Sequence, residues 1–424
     1  MDTEHGPERE HEEYSFMQEI IKDEQLNPRK IAVKVCRWAG IGIIFGVAAC
    51  ISFFALKPWA EDVFQKEPNK VEIQQEEEQN QEEQEKTEQE TAEQQTVEKE
   101  LTIQDFYTLS NELKKVAAEA GKSVVTVTGI AENADWTAGQ GGASVTAAGL
   151  IVADNGRELL ILADYSSLKD TQLFQVQFAD GSQHQAALKQ KDTNLDIAIY
   201  SVAKDGISTS TWERISIAQL GNSNVSMQGR TMIAIGQPFG FEDGLGYGIA
   251  STVGEVVTRA DGEYKMIVTD MPLDAEGSGV LFDMYGKVMG IIDADLAREK
   301  GASTLVAYGI SDITDEIELM SNGKHVPYAG IVGVLVTEEI SELQGIPTGL
   351  YVREVETDSP AMKAGIQSGD VITMVGDTEI TSLNAYHTAL YKLEAGQAAK
   401  FKGYRYGTNE YVDMKFTVTI GIKE

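Results

Sequence analysis

The apolar and polar positions follow four successive patterns along the chain, and the first is an uninterrupted apolar run. Residues 38–56, WAGIGIIFGVAACISFFAL, carry no charge. They are long enough to cross about 30 Å of hydrocarbon as a helix. Arginine and lysine are concentrated before the run, and an acidic stretch follows it. The bias of positive residues towards the cytoplasm predicts that the tail, residues 1–37, is cytoplasmic and that the rest faces outward.

Two other interpretations of the apolar run remain open. A cleaved signal peptide is one, although a leader of 37 residues ahead of the apolar core is unusually long. The second rests on VAAC, residues 47–50, which is similar to a lipid-attachment sequence. The run continues beyond it as ISFFAL, which favours a single-pass membrane anchor.

The second pattern is a polar tract that we predict to be a spacer, residues 57–100. It is rich in glutamate and glutamine, with 15 acidic residues against 4 lysines from residue 61 onward. It has no repeating heptad of apolar positions, which argues against a coiled coil. The composition is typical of a disordered or loosely helical spacer.

The last two patterns predict folded domains. IQDFYTLSNELKKVAAEAGKSVV, from residue 103, has the apolar spacing of a helix, and many short β-branched runs broken by glycine, aspartate and asparagine follow it. Short strands at this spacing predict an all-β barrel or sandwich. From about residue 326, strands interleaved with helical stretches predict a small mixed α/β module. The fold class is therefore mostly β, with a small α/β domain at the end.

Composition excludes several kinds of function. The formal net charge of −32 argues against binding to nucleic acid or to an anionic membrane face, since both require a basic footprint. The two cysteines, Cys36 and Cys50, lie beside or inside the apolar run, so the rest of the chain has no disulfide or cysteine nucleophile. No histidine and carboxylate cluster has the spacing of metal ligands, and we expect neither a metal nor a cofactor.

Four stretches, taken in order, resemble the HtrA family of bacterial envelope serine proteases. They are NLDIAIYSV, AIGQPFGF, TDMPLDAEGSGVLFDMYGKVMGI and the segment from YAGIVGVLV to DVITMVG. The resemblance implies a chymotrypsin-like double β-barrel over residues 101–322 and a PDZ domain over residues 326–424. It also implies a Ser-His-Asp triad, in which a base takes the proton of the serine and an acid orients the base.

The match puts Ser278 at the nucleophile and Asp196 at the acid, but it does not supply the base. Tyr165, in LLILADYSSL, stands at the histidine position, and shifting the alignment by one offers Asp164. The phenol of a tyrosine has an ordinary pKa near 10 and is a poor base at neutral pH. His184 is the one histidine inside the protease-like segment, and a surface role is favoured for it over that of a displaced base.

The segment before the serine also differs from the family. Glu276 and Gly277 precede Ser278, where the family has glycine and asparagine. The resemblance implies that the backbone N–H groups of Ser278 and Glu276 face the developing oxyanion. A glutamate there restricts the backbone and adds negative charge, so Ser278 is interpreted as a residue inherited with the fold, with a working nucleophile as the alternative.

The PDZ resemblance implies that a peptide C-terminus adds as a strand and that loop N–H groups hold its carboxylate. Those groups are expected at Gly330, Ile331, Val332 and Gly333. The alternative is a blocked groove that only packs on the barrel.

These observations predict a membrane-anchored, HtrA-like pseudoprotease outside the cytoplasmic membrane, with peptides or unfolded segments as its partners. Two alternatives remain: an active serine endopeptidase that uses Ser278 in envelope protein quality control, and an assembly scaffold that forms a homotrimer, as family members often do.

Overall fold

The computed structural model describes residues 69–73, 102–131 and 144–423. The predicted cytoplasmic tail, the predicted membrane helix and most of the predicted spacer lie outside these residues. Within them, no helix is both long and apolar enough to span a lipid bilayer.

The first element described is the predicted helix, α1, Ile103–Ala120. Thr102 caps it, because the Thr102 hydroxyl accepts from the Asp105 N–H while the Asp105 carboxylate accepts from the Thr102 N–H. Ala117 and Ala120 are buried, whereas Ile103 and Phe106 are exposed. The helix therefore packs on the protein through its C-terminal half.

The first barrel is closed by six antiparallel strands in the order β1-β2-β3-β6-β5-β4. Their core is dense in valine, isoleucine and leucine, which suit a pleated and buried surface. The strands are β1 Val124–Ile130, β2 Ser144–Asp154, β3 Glu158–Asp164, β4 Leu173–Gln177, β5 Gln183–Asp192 and β6 Ile197–Ala203.

The second barrel is also closed by six antiparallel strands, in the order β10-β11-β12-β9-β8-β7. Its strands are β7 Thr231–Gln237, β8 Gly244–Arg259, β9 Gly262–Pro272, β10 Ser278–Phe282, β11 Val288–Asp293 and β12 Thr304–Gly309. The helices between and after the two barrels' strands are α2 Thr209–Trp212, α3 Ala294–Glu299 and α4 Thr314–Ser321. The predicted double barrel is confirmed.

The last domain is a sheet in the order β13-β14-β15-β17-β18, with β16 paired to β15. Its strands are β13 Ile331–Val336, β14 Gly349–Val355, β15 Val371–Val375, β16 Thr378–Glu379, β17 Ala398–Tyr406 and β18 Tyr411–Thr419. Its helices are α5 Glu338–Gln344, α6 Pro360–Lys363 and α7 Leu383–Tyr391. It has its own core, so the predicted mixed α/β module is confirmed.

Residues 69–73 were predicted to belong to a disordered or loosely helical spacer, but they pack on the folded part of the protein. Val71 is buried, and its N–H and C=O bond the side-chain amide of Asn322 at 2.9 and 3.0 Å. The N–H of Asn69 donates to the carbonyl of Asn155 at 2.8 Å. The prediction was wrong here because apolar Val71 and Ile73 find a hydrophobic surface on the barrels.

Candidate functional site

Ser278 begins β10 and lies between the two barrels. Its Cα pairs with those of Gln237 on β7 and Asp293 on β11. The side chain is only 4% exposed, and its Oγ accepts from the N–H of Ala148 on β2 at 2.9 Å. The hydroxyl oxygen is therefore held by the backbone of the first barrel.

In the turn before Ser278, the N–H groups form hydrogen bonds with Asp274 of the same turn. The carboxylate of Asp274 accepts from the N–H of Glu276 at 3.1 Å, and the Asp274 carbonyl accepts from the N–H of Gly277 at 3.0 Å. The N–H expected to face an oxyanion is the one that the Asp274 carboxylate engages. A substrate oxyanion would have to compete with the Asp274 side chain for this donor.

Tyr165 lies in the turn after β3, but its ring is directed into the first barrel. Its hydroxyl accepts from the ammonium of Lys191 on β5 at 2.8 Å, and the ammonium lies 4.6 Å from the ring centroid. Its N–H donates to the carbonyl of Asp196 at 2.7 Å. Tyr165 and Asp196 are thus adjacent through the backbone, while the phenol is held by a cation.

Asp196 lies in a group of carboxylates. It has a positive φ of 52°, a conformation that aspartate tolerates better than most residues. Burial raises its pKa, and the charge of Asp164 raises it further. Burial also raises the pKa of Asp293, to about 7, and the charges of Asp164, Asp295 and Asp196 raise it further. The hydrogen bond from the Leu296 N–H acts in the opposite direction and lowers this pKa. The acid position therefore has acidic neighbours.

Every histidine in the described part of the chain lies elsewhere in the fold. His184 is on β5, 5.3 Å from the ring of Phe178. His325 is exposed ahead of the last domain. His387 is on α7, where its Nε2 lies 3.4 Å from Glu316. None of the three has a hydrogen bond to Ser278 or Asp196.

A second candidate site is the loop that leads into β13, where a carboxylate is already bound. Asp261 Oδ2 accepts from the N–H groups of Ala329 and Gly330, both at 2.8 Å. Its Oδ1 accepts from the Ile331 N–H at 3.0 Å and from the hydroxyl of Tyr386, on α7, at 2.7 Å. Asp261 belongs to the tip of the β8–β9 hairpin, so the second barrel supplies the ligand.

Local geometry explains why the loop can present these donors. Gly330 has a φ of +85°, and a Cβ there would come within 2.3 Å of Ser359 and 2.8 Å of the Tyr328 hydroxyl. Only glycine fits such a position. The result is a concave set of three consecutive N–H groups, which is a recurrent binding site for anions.

A buried polar network lies beside this loop. Glu316 on α4 is fully buried, and its Oε1 accepts from Tyr264 at 3.0 Å and from Tyr391 at 2.8 Å. Burial lowers the pKa of His387, but the hydrogen bond to Glu316 and the charges of Glu316, Asp315 and Asp261 together raise it above its ordinary value. The last domain is therefore joined to the second barrel by several polar contacts.

Of the four residues expected to hold a peptide carboxylate, two donate their N–H groups to the carboxylate of Asp261. Gly330 and Ile331 donate to Asp261, whereas Val332 and Gly333 lie within β13 and pair with β14. Sequence reasoning missed Ala329, Tyr386 and Asp261. An aspartate followed by glycine between two strand-like runs could have indicated the hairpin tip, but nothing in the sequence joined it to a loop 70 residues away.

Comparison with protein families gives two matches. Residues 137–291 match the trypsin-like peptidase domain, and residues 328–416 match the PDZ domain. Each falls on a part of the chain where the structure has the corresponding barrels or sheet.

Two curated relatives are similar to this chain. The chain is 31% identical over 280 residues to a probable periplasmic serine endoprotease, DegP-like, of Pseudomonas putida, covering 64% of this chain and 55% of the relative. It is 27% identical over 291 residues to the serine protease Do-like HtrA of Lactococcus lactis, covering 63% of this chain and 70% of the relative. The chain spans about half the length of the DegP-like relatives it matches.

A solved structure matches the fold. The HtrA-type protease AlgW with a decapeptide has a TM-score of 0.50 at 18% identity, and the match covers 74% of this chain and 99% of that one. At this identity the likeness concerns the fold alone.

Proposed function

We propose that this chain, a homologue of the HtrA-type serine proteases that joins a trypsin-like peptidase domain to a PDZ domain, binds peptides or unfolded segments without cleaving them. The two domains are assigned to residues 101–322 and 326–424. The observation that carries the proposal is the absence of an imidazole bonded to Ser278 or Asp196 among the residues that the structure describes.

Two further contacts support a loss of catalysis. The Ser278 oxygen accepts a backbone N–H and has no base bonded to it within the described part of the chain. The Glu276 N–H is engaged by Asp274. Losing a triad base lowers turnover by on the order of 10⁶, and losing one oxyanion donor by roughly 10² to 10³. Tyr165 is no substitute base, because its hydroxyl accepts from the ammonium of Lys191 at 2.8 Å and has no hydrogen bond to Ser278.

The proposed setting is the outer side of the cytoplasmic membrane. Residues 38–56 act as a single-pass anchor, residues 1–37 are cytoplasmic, and the segment after residue 56 joins the anchor to the barrels. The P. putida relative is described as periplasmic, which agrees with an extracytoplasmic position for the folded domains. A homotrimer is the proposed assembly.

Proteolysis of unfolded casein by the purified full chain tests the absence of catalysis. The Ser278→Ala variant is the matched control, and Tyr165→His and Ser166→His each return an imidazole to the turn after β3. We expect no cleavage by the wild type beyond that of Ser278→Ala. Cleavage that Ser278→Ala abolishes contradicts the proposal and shows that a base exists.

One observation favours the alternative of an active endopeptidase. Asp293 is the cross-strand neighbour of Ser278, and its pKa of about 7 would let it exchange a proton near neutral pH. This candidate requires that an organophosphorus probe label Ser278 and that Asp293→Asn abolish the labelling. Equal labelling of the two proteins would exclude Asp293 as the base.

A further inference from the structure

The carboxylate-binding loop of the PDZ domain has its donors arranged around one side chain. Three consecutive N–H groups and one phenol direct four hydrogen bonds of 2.7–3.0 Å to the two oxygens of Asp261. Asp261 is only 7% exposed. Four donors within hydrogen-bond distance of one carboxyl favour its anionic form and compensate its charge.

Asp261 also reproduces the backbone contact of an added strand. Its N–H donates to the carbonyl of Ile331, the first residue of β13, at 2.7 Å. A peptide C-terminus would present the same two groups to a PDZ domain, namely a carboxylate to the loop and a backbone hydrogen bond to the adjoining strand. One residue of the hairpin thus occupies the end of the groove.

We propose that Asp261 is an internal ligand of the PDZ carboxylate-binding loop, so that a peptide with a free C-terminal carboxylate binds this domain only by displacing the β8–β9 hairpin. The proposal rests on the proposed peptide-binding function and specifies how that function is regulated. The partner must carry a free carboxylate, since an amide cannot accept from all four donors.

The hairpin holds Asp261 in place for binding. Arg259 pairs with Gly262, which leaves Ala260 and Asp261 as a two-residue tip, and Asp261 has a φ of +64°. The carbonyl of Ala260 accepts from the side-chain amide of Asn194 at 2.8 Å. A ligand tethered in this way acts at a high effective concentration, so a free peptide competes at a disadvantage.

There is open space beside the tip of the hairpin. A cavity of about 520 Å³ lies between the hairpin and α7, lined in part by Asp261, Leu383 and His387. The cavity adjoins Asp261, which occupies the carboxylate-binding loop.

Asp261→Asn is the sharpest test. Asparagine tolerates a positive φ and has nearly the same shape as aspartate. Its NH₂ group cannot accept a hydrogen bond, so it would face donors that now bond to a carboxylate oxygen. Asp243→Asn is the matched control, because Asp243 also has a positive φ, of 57°, and lies exposed in another loop. Tyr386→Phe is a second, milder variant, which removes one donor and leaves the charge unchanged.

Two measurements on the full chain separate this proposal from the proposed function. The first is binding of a fluorescent peptide library with randomised C-termini, prepared in free-acid and amide forms. The second is hydrogen exchange at the amides of Ala329, Gly330 and Ile331. In Asp261→Asn we expect affinity for the free acids to rise by about tenfold or more, with no gain for the amides, because the competent fraction increases. Exchange at the three amides should quicken.

The other outcomes are distinct. Equal affinity of the wild type and Asp261→Asn for the free acids, or unchanged exchange, overturns the internal ligand. Faster exchange with no binding of any peptide by either protein supports Asp261 as the occupant of the loop and contradicts the proposed peptide-binding function. Tyr386→Phe removes a donor that Asp261 and a peptide carboxylate would share, so its readout is exchange: the three amides should exchange faster by a smaller factor, which guards against a folding defect in Asp261→Asn.

Discussion

Two buried carboxyls have different neighbours: Asp261 is bound by the PDZ loop, and Asp293 lies opposite Ser278. They show how neighbouring groups decide which charge state of an aspartate is favoured. Burial raises the pKa of Asp261, and the N–H of Gly330, the hydroxyl of Tyr386 and two other N–H groups oppose that rise. Asp293 receives the Leu296 N–H, but Asp164, Asp295 and Asp196 face it. Four donors favour the anionic form of Asp261, whereas burial and negative neighbours favour the protonated form of Asp293. Burial alone does not distinguish a binding site from a titrating one.

The largest expected effect is on stability when Asp261 becomes asparagine. We expect Asp261→Asn to lower the free energy of unfolding by about 3 kcal/mol, because a charged acceptor is lost and buried donors stay unpaired. Urea unfolding of the full chain at neutral pH measures it. Asp243→Asn, the exposed counterpart, should change stability by under about 0.5 kcal/mol. An equal effect of the two would mean that the four bonds to Asp261 contribute little.

The same substitution at Asp293 should act in the opposite direction. With a folded pKa of about 7, above the ordinary 3.8, this carboxyl stabilises the protein at low pH, and its contribution is lost as pH rises from about 4 to 7. Asp293→Asn should therefore raise stability by about 2 kcal/mol at pH 8 and leave it nearly unchanged at pH 4. Asparagine can still cap α3.

Unfolding in urea at several pH values measures the effect of Asp293→Asn. Asp295→Asn is the control, since Asp295 is about half exposed and belongs to the same group of charges. Destabilisation by Asp293→Asn at pH 8 would show that Asp293 resembles Asp261, and the comparison would fail.

The smallest expected effect concerns His387, next to the PDZ loop. Its folded pKa is raised, so the stability it contributes is full below the ordinary value near 6.5 and is lost as pH rises through the folded pKa. Replacing it as His387→Gln should remove about 1 kcal/mol of stability at pH 6 and less at pH 8.5. Exposed His325→Gln is the control. A pH-independent effect of His387→Gln would mean that the imidazole acts through packing against Tyr391 alone.

Much of the fold could be read from the sequence. The apolar spacing from residue 103 predicted α1, and runs such as LLILAD and DIAIYSV predicted β3 and β6, because a pattern of local apolar residues fixes each element. Pairing into closed barrels came from the resemblance to a family and not from the pattern. Residues 69–73 were mispredicted, since two apolar residues in an acidic tract give too weak a local signal.

The sequence by itself determined which residues stand at the positions matched to the family: Tyr165 directly after β3, Glu276 two residues before Ser278, and both cysteines near the apolar run. Only the tertiary structure decided where each polar group is directed. It turned Tyr165 towards Lys191, gave the Glu276 N–H to Asp274 and put Asp261 into the PDZ loop. The physical reason is that hydrogen bonds between residues far apart in sequence depend on the position of whole domains, which no local pattern records.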